Sequence, residues 1–272
     1  MKTLKNKVFI VTGAGSGMGR ELTLQLAEKG VYVAACDIHK DNLEETLSLA
    51  KDPSFIKTYV LDVSDKKAVE AFPSTVKKEF QSLDGIINNA GIIQPFVHFM
   101  ELKPETIEKV MNINFYGVIN LTRATLKELD KDQEGFIINT SSMGGFLPVP
   151  GQGIYGASKA AVKLFTESLY AELKDTPIQV SVVFPGAIAT NITNNSNSIN
   201  QVDEKPIDTS SNASTHKTTS AKDAARIIIK GIEKGKLKIF VGSDAKLMDR
   251  LLRLMPVKAI DIMANMIKKM MT

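Results

Sequence analysis

A tyrosine, a lysine and a serine are spaced so that they could carry out acid–base chemistry. Tyr155 and Lys159 are four residues apart in a stretch with helical periodicity, so both side chains are expected on one helix face. A lysine ammonium beside a phenol favours the phenolate, and it should lower the pKa of the tyrosine from about 10 towards neutrality. Ser142 lies 13 residues upstream of Tyr155, after an apolar run, where its hydroxyl could bind the same substrate oxygen. The set predicts general acid–base catalysis.

A glycine-rich turn near the N-terminus could bind an anion. It follows the apolar run Val8–Val11, which predicts a strand, and it precedes Arg20–Lys29, which predicts a helix. Backbone N–H groups at a helix N-terminus bind phosphates, and glycine lets a pyrophosphate approach them closely. The spacing Gly13-x-x-x-Gly17-x-Gly19 fits neither the Gly-x-Gly-x-x-Gly fingerprint nor a Walker loop. A plain tight turn is therefore the alternative.

A carboxylate follows the second predicted strand. Val31–Cys36 is apolar and Asp37 comes directly after it, at the distance from the glycine turn where a ribose 2′-hydroxyl would lie. A carboxylate accepts hydrogen bonds from ribose hydroxyls and repels a 2′-phosphate. No arginine accompanies Asp37, although His39 and Lys40 are close, so NAD is favoured and NADP is less expected. The alternative is that Asp37 only caps a helix at Asp41–Ala50.

Strands and helices alternate along most of the chain. Ser64 is expected to cap a helix that continues to Gln81 unless Pro73 breaks it, and Pro104–Leu129 reads as one long helix or two. The remaining strands are predicted at Ile56–Leu61, Asp84–Asn88, Gly135–Thr140, Gln179–Phe184 and Lys238–Val241, and the remaining helices at Ile154–Leu173 and Asp223–Lys234. This rhythm predicts the α/β class: one Rossmann-type, doubly wound parallel sheet with helices on both faces, spanning residues 1–245.

Amino-acid composition limits the classes of protein to which the chain could belong. The chain of 272 residues is 43% hydrophobic and 24% charged, and no stretch reaches the 18 apolar residues of a membrane span. No apolar segment precedes the first strand, so a signal peptide is not expected. The single cysteine, Cys36, cannot form an internal disulfide or a cysteine metal cluster, and we expect a reducing cytoplasm. The three histidines are far apart in sequence and have no metal-ligand spacing.

The positive charge lies at the C-terminus. Residues 246–272 hold six basic and two acidic side chains, so this tail carries the whole net charge of +4 and the main body sums to zero. A nucleic-acid face on the main body is therefore not expected. The stretch Val257–Met271 places Ile260, Met263, Ala264, Ile267, Met270 and Met271 in one helical stripe. Packing on the body or on a second subunit, peripheral contact with an anionic membrane, and a methionine cover over an apolar substrate are the three alternatives.

Thr190–Ser220 interrupts the alternation of strands and helices. It is rich in Asn, Ser and Thr and has few apolar residues, so it should be mobile in the empty protein. Because it follows a strand's C-terminal end, where ligands bind in open α/β sheets, we interpret it as a mobile substrate loop. A plain surface insertion is the alternative.

Six motifs together resemble the short-chain dehydrogenases/reductases. They are Thr12-Gly-x-x-x-Gly-x-Gly19, Asn88-Asn-Ala-Gly91, Asn114, Ser142, Tyr155-Gly-Ala-Ser-Lys159 and Pro185-Gly186. The likeness runs from about Lys7 to Thr190, with a looser match at Asp223–Val241. It implies a nicotinamide cofactor and a dimer or tetramer formed through the two long central helices.

The same resemblance implies a role for each matching residue. Tyr155 would be the acid/base, Lys159 would lower its pKa and hold the nicotinamide ribose, and Ser142 would steady the substrate oxygen. Asn114 matches the asparagine that holds a water in a proton relay, with Asn112 as the competing choice. The cofactor contacts implied are Gly13, Gly15, Ser16, Gly17, Met18, Gly19, Asp37, Asp62, Val63, Asn89, Ala90, Gly91, Tyr155, Lys159, Pro185, Gly186, Ile188 and Thr190.

These residues predict an NAD-dependent oxidoreductase acting on a secondary alcohol or ketone, one that the tail suggests is lipophilic. A non-catalytic nucleotide-binding sensor or scaffold is the alternative, and it would not need all of Asn114, Ser142, Tyr155 and Lys159. The residues that choose the substrate should lie in Ile92–Met100, Met143–Gly153 and the 190–220 loop. Their shapes cannot be derived from the sequence.

Overall fold

A computed structural model of the chain describes residues 2–130, 132–189 and 218–271. Its strands are β1 Val8–Thr12, β2 Tyr32–Asp37, β3 Ile56–Val60, β4 Gly85–Asn88, β5 Gly135–Thr140, β6 Ile178–Pro185, β7 Ile188–Ala189, β8 Thr219–Ser220 and β9 Lys238–Val241. Seven of them form one parallel sheet in the order β3-β2-β1-β4-β5-β6-β9. The short strands β7 and β8 pair with each other.

Helices connect these strands. They are α1 Gly17–Glu28, α2 Lys40–Ser48, α3 Lys66–Phe80, α4 Pro104–Met111, α5 Gly117–Glu128, α6 Gly153–Glu172, α7 Ala221–Glu233, α8 Ser243–Leu254 and α9 Pro256–Met271. A strand joined to a parallel neighbour needs such a crossover helix, which packs on a face of the sheet.

The two faces of the sheet bury separate cores. In β1, Phe9 and Val11 belong to a core with residues of α1, α2 and α7, whereas Val8 and Ile10 belong to a core with residues of α3, α5 and α6. Successive side chains of a strand point to opposite faces, so a strand buried on both sides is apolar throughout. The doubly wound α/β prediction is confirmed.

The structure corrects one predicted helix cap and settles two open questions about helix continuity. Asp65, not Ser64, caps α3, since its carboxylate accepts the main-chain N–H groups of Lys67 and Ala68. Pro73 lies inside α3 without ending it, and its ring is buried with the apolar face of that helix. The long segment after Pro104 is α4 and α5 joined by a π-helical turn at Asn112–Tyr116.

The stretch Val257–Met271, predicted to carry an apolar helical stripe, lies on one helix, α9, which follows α8. Ala259 and Met263 of α9 are buried against Leu147, so part of the predicted apolar face packs on the body. Ile260 of the same stripe is exposed. Of the predicted substrate loop Thr190–Ser220, residues 190–217 lie outside the described part of the chain, and Thr219–Ser220 form strand β8, paired with β7.

Candidate active site

A cleft of about 870 Å³ opens where the strands of the sheet end. Residues at or just beyond the carboxyl ends of β1 to β6 line it, which is where open α/β sheets bind ligands. Most of the residues predicted from the sequence are among its lining: Gly13, Ser16, Gly17, Met18, Gly19, Asp37, Asp62, Val63, Asn89, Ala90, Gly91, Ser142, Tyr155, Lys159, Pro185, Gly186 and Ile188. Gly15 and Asn114 are not, and Thr190 lies outside the described residues.

The glycine turn has no room for side chains. Gly13 has a φ of +68°, a left-handed backbone that residues with a Cβ rarely adopt. A Cβ on Gly19 would overlap the carbonyl oxygen of Gly13 and lie 2.6 Å from the Asn89 side-chain nitrogen. The backbone of the turn is therefore bare at the start of α1, and this bare backbone fits a pyrophosphate.

Asp37 closes one end of the cleft. Its carboxylate accepts the N–H of Gly15 at 2.9 Å and that of His39 at 3.0 Å. Gly15, within the turn, therefore holds Asp37 in place without itself lining the cleft. The alternative that Asp37 only caps the next helix is wrong in part, because the N-cap of α2 is His39 and the carboxylate also faces the cleft.

Thr12 joins two cofactor-side segments that are far apart in sequence. Its buried hydroxyl accepts the N–H groups of both Asn89 and Ala90 at 3.0 Å, and its carbonyl accepts the side-chain amide of Asn89. The Asn88–Gly91 segment is thereby held against the glycine turn. Thr12 opened the predicted turn motif, but nothing in the sequence gave its hydroxyl this role.

Lys159 carries a buried charge with little protein compensation. It is 3% exposed, and its ammonium donates to the main-chain oxygen of Thr140 at 3.0 Å. Across the described ranges 2–130, 132–189 and 218–271 it forms no ion pair, and burial lowers its pKa to about 8. An ammonium has three donors, so the cleft leaves it able to bind hydroxyls of a ligand.

Tyr155 and Ser142 meet in the same cleft, but the pKa of the tyrosine differs from the sequence prediction. Burial raises the pKa of Tyr155 above its ordinary value, and a hydrogen bond from the Ser142 side chain opposes this rise. The Lys159 ammonium binds Thr140 and does not lower that pKa in the chain alone. The expected lowering was wrong here, because burial disfavours the phenolate and only the hydrogen bond with Ser142 opposes that rise.

Asn114 is buried behind the cleft. Its side-chain oxygen accepts the N–H of Ile92 at 2.8 Å, and its amide donates to the Ile92 oxygen and to the Ser158 hydroxyl. The competing residue, Asn112, lines the cleft. A Cβ on Gly91 would lie 3.1 Å from both the Asn114 oxygen and the Lys159 nitrogen, so these two groups face one small space.

Gln94 organises the start of α6, and the sequence analysis did not predict this role. Its side chain is 3% exposed, accepts the N–H of Tyr155 at 2.8 Å and donates to the Gly151 oxygen at 3.0 Å. It satisfies a free N–H of the first turn of α6. Glutamine in a loop carries no sequence signal for this, because its partner is 61 residues away.

Other lining residues were also outside the predicted set. They are Ile38, His39, Leu61, Ser64, Ile92, Ile93, Glu105, Glu108, Lys109, Asn112, Ile113, Thr140 and Ser141. Ile92 and Ile93 belong to a stretch predicted to choose the substrate. The others follow strands or lie on α4 and the π-helical turn, and only packing brings those elements to the cleft.

Neither a metal cluster nor a membrane span is found in the described residues. No group of three or more His, Cys, Asp and Glu side chains there could hold a metal ion. No helix of that part of the chain has the length and apolar character needed to cross a bilayer.

Comparison with known proteins shows the family to which this fold and sequence are similar. The family profile described as short chain dehydrogenase matches residues 7–201. The chain is 36% identical over 261 residues to the protein SadH of Mycobacterium tuberculosis, which covers 94% of this chain and 93% of that protein.

Two solved structures share the fold. A short chain dehydrogenase/reductase from Burkholderia phymatum, in complex with NAD, superposes with a TM-score of 0.81, 24% identity and coverage of 93% of this chain and 96% of that one. A short chain dehydrogenase from Burkholderia cenocepacia, in complex with NADP, gives a TM-score of 0.78, 24% identity and coverage of 96% and 99%.

Proposed function

The chain belongs to the short chain dehydrogenase family, and we propose that it transfers a hydride between NAD(H) and a secondary alcohol or ketone. One observation carries this proposal: Ser142, Tyr155 and Lys159 line the same cleft as the glycine turn and Asp37. A group that handles protons therefore lies in the cleft that suits a dinucleotide. When bound, the nicotinamide supplies the hydride donor or acceptor.

Tyr155 moves the proton at the substrate oxygen. With its pKa above the ordinary value, the phenol is protonated at neutral pH and is ready to donate to a developing alkoxide during ketone reduction. In alcohol oxidation the same oxygen must first lose its proton, so the oxidation rate should rise with pH. Ser142 binds the substrate oxygen and is already hydrogen-bonded to Tyr155.

Lys159 and Asn114 hold the site together. The buried ammonium of Lys159 is positioned to bind ribose hydroxyls and to stabilise negative charge as it develops on Tyr155. The resemblance implies that Asn114 holds a relay water, and we keep that role as part of the proposal. Its side chain also hydrogen-bonds to Ile92 and Ser158 and so positions the Ile92 segment against α6.

Asp37 supports NAD rather than NADP. Its carboxylate lines the cleft beyond β2, where it would accept hydrogen bonds from a ribose and repel a 2′-phosphate. The similar structures from Burkholderia hold NAD in one case and NADP in the other, so fold alone does not choose. The remaining contacts would come from the glycine turn, Asp62 and Val63, Asn89 to Gly91, and Pro185 to Thr190.

The substrate side of the cleft supports a lipophilic compound. Ile92, Ile93 and Ile113 line the cleft, and apolar surface of this kind favours an apolar substrate body. We therefore propose a secondary alcohol or ketone with an apolar substituent as the substrate class.

A substitution and a substrate panel test the proposal. A set of alcohols and ketones of increasing apolar size is assayed by NADH and NADPH absorbance, with each cofactor in parallel. Tyr155→Phe should bind the dinucleotide as the wild type does and lose at least about 100-fold in turnover, because it removes the proton carrier. Tyr170→Phe, on the same helix and 40% exposed, is the matched control and should keep activity. Dinucleotide binding with no turnover of any compound would favour the sensor alternative.

We also propose that the chain acts as a cytoplasmic homodimer or homotetramer. Tyr116, beside α5, is 51% exposed and Leu164, on α6, is 68% exposed, which supports pairing through these two helices. Sedimentation velocity of the wild type and of Leu164→Glu checks this, and the substitution should shift the population towards monomer.

A further inference from the structure

Exposed apolar side chains concentrate on the C-terminal helices. Fifteen large hydrophobic residues are exposed in the described part of the chain, and six of them fall within 247–262. They are Leu247, Leu254, Met255, Val257, Ile260 and Ile262. The most exposed, Leu254 at 80% and Val257 at 69%, flank the corner where α8 ends and α9 begins. We call these six residues the outer face.

The opposite side of the same helices is packed on the body. Ala259 and Met263 bury against Leu147, with Met248, Leu251 and Leu252 packed around them. Ala245 at the start of α8 is fully buried. The helices therefore already bury one apolar side, and the outer face is a second apolar surface that this packing leaves exposed.

Positive charge surrounds the outer face. Lys246, Arg250, Arg253 and Lys258 are exposed on the same two helices. In the described residues only Arg253 of these four forms an ion pair, with Asp249. Residues 246–272 carry six basic and two acidic side chains, a net charge of +4, while the rest of the chain sums to zero.

The charge around the outer face distinguishes two possible partners, a second copy of the chain and a lipid membrane. A second copy of the chain on this face would place the same patch opposite itself across a two-fold axis, so its cations would repel each other. Exposed aliphatic side chains rimmed by unpaired Lys and Arg instead complement a surface that is apolar below and anionic above. We propose that the outer face docks peripherally on an anionic lipid membrane.

Docking would place α9 between the membrane and the segment that follows Ser142. Leu147, which α9 covers, shares a cluster with Met143 and Phe146, and Met143 directly follows Ser142. If the proposed function holds, this segment links the docked helix to the cleft that takes the lipophilic substrate. The docking itself does not depend on that function.

Vesicle co-sedimentation of the full chain tests the proposal. Vesicles of phosphatidylcholine with one third phosphatidylserine are compared with pure phosphatidylcholine. The chain should bind the anionic vesicles and leave the neutral ones, and binding should fall as NaCl rises, because salt screens surface charge. Equal binding to both compositions, or binding to neither, would overturn the proposal.

Paired variants locate the contact. Arg250→Glu with Lys258→Glu should weaken vesicle binding at least about 20-fold, and Leu254→Ser with Val257→Ser at least about tenfold. The controls Lys174→Glu with Lys234→Glu and Leu49→Ser make the same changes at exposed positions elsewhere and should bind as the wild type does.

Two results for these variants would reject the face as a membrane contact. One is outer-face variants that bind vesicles as tightly as the wild type. The other is variants that change the sedimentation coefficient of the free protein while vesicle binding is unaltered, because this would identify a protein–protein contact instead. Dehydrogenase activity on a water-soluble substrate, measured without vesicles, should be the same in all variants.

Discussion

The cofactor side of the cleft and the C-terminal helices differ in what their buried groups leave unsatisfied. In the cleft, Lys159 buries an ammonium with one protein acceptor, and Gly13 and Gly19 leave backbone bare. In α9, Ala259 and Met263 bury apolar atoms against Leu147 and leave no polar group behind. The cleft holds polar groups whose hydrogen bonds a ligand can supply, whereas the buried side of α9 holds apolar groups that are already packed.

This difference predicts which substitutions should change the free energy of unfolding and turnover in opposite directions, and which should change only one of them. A group kept unsatisfied for a ligand costs folding free energy in the empty protein, so removing it can stabilise the chain and abolish function. An apolar contact has no such second role, so its loss should lower stability and leave turnover nearly unchanged. Lys159→Met and Met263→Ala test this contrast, and Gly19→Ala tests the steric requirement of the glycine turn.

Gly19→Ala should have the largest effect. The added Cβ overlaps the carbonyl oxygen of Gly13, so the turn must shift, at a cost of about 3 kcal/mol or more in the free energy of unfolding. Dinucleotide affinity should fall with it. Urea denaturation and dinucleotide titration measure both. Gly153→Ala is the matched control, because a Cβ there meets nothing within 4 Å; an equal loss in both variants would contradict the steric account.

Lys159→Met should separate stability from activity. Because burial lowers the pKa of Lys159 to about 8, the folded chain holds its charge at neutral pH against a desolvation cost. We expect the variant to raise the free energy of unfolding at pH 7 by on the order of 1–3 kcal/mol. Turnover should fall at least about 100-fold, because the variant lacks the ammonium that we propose binds the ribose and stabilises negative charge developing on Tyr155 during the reaction.

The pH dependence of the Lys159→Met effect has a defined sign. Between about 8 and the unfolded value of 10.5, the unfolded chain keeps the lysine proton that the folded chain has released. Wild-type stability therefore gains with rising pH across that window, and the advantage of the methionine variant shrinks there. Thermal unfolding at several pH values checks this. A variant less stable than the wild type at pH 7 would show that the Thr140 hydrogen bond outweighs desolvation.

Met263→Ala should have the smallest effect, and on stability alone. Met263 is 8% exposed in the cluster with Leu147, so its truncation should cost about 2 kcal/mol in the free energy of unfolding, the low end for a core methionine. The neighbouring Ile262 is 43% exposed, and Ile262→Ala should cost little. Turnover on a water-soluble substrate is the second readout. A large loss of turnover in Met263→Ala would erase the contrast between tail and cleft.

Much of the fold could be derived from the sequence because its signals are local. The apolar run of β1, the glycine turn and the helical periodicity after it lie within about 20 residues, so period and turn chemistry identify them together. Helix ends were less well predicted. Asp65 and Ser64 are both capping types, and only the hydrogen bonds to Lys67 and Ala68 distinguish them.

Pro73 illustrates a tertiary override of a local rule. Proline disfavours a helix interior because it lacks an N–H and crowds the preceding turn. In α3 the apolar residues Val69, Phe72 and Val76 pack into one core of the sheet, and this burial keeps the helix continuous. The free-energy cost of a proline inside a helix can be predicted from the sequence. Only the packing of α3 shows that burial outweighs this cost.

The amino-acid sequence alone identifies the groups that can do chemistry. They are a tyrosine and a lysine one helical turn apart, a serine after a strand, and glycines where the backbone must be free of side chains. The pKa values and long-range hydrogen bonds of the site depend on the tertiary structure. It set the raised pKa of Tyr155 through burial, used Thr12 and Gln94 to join segments 77 and 61 residues apart, and left an outer face on the tail. Spacing fixes which side chains share an element, but desolvation and long-range hydrogen bonds exist only once the elements have packed.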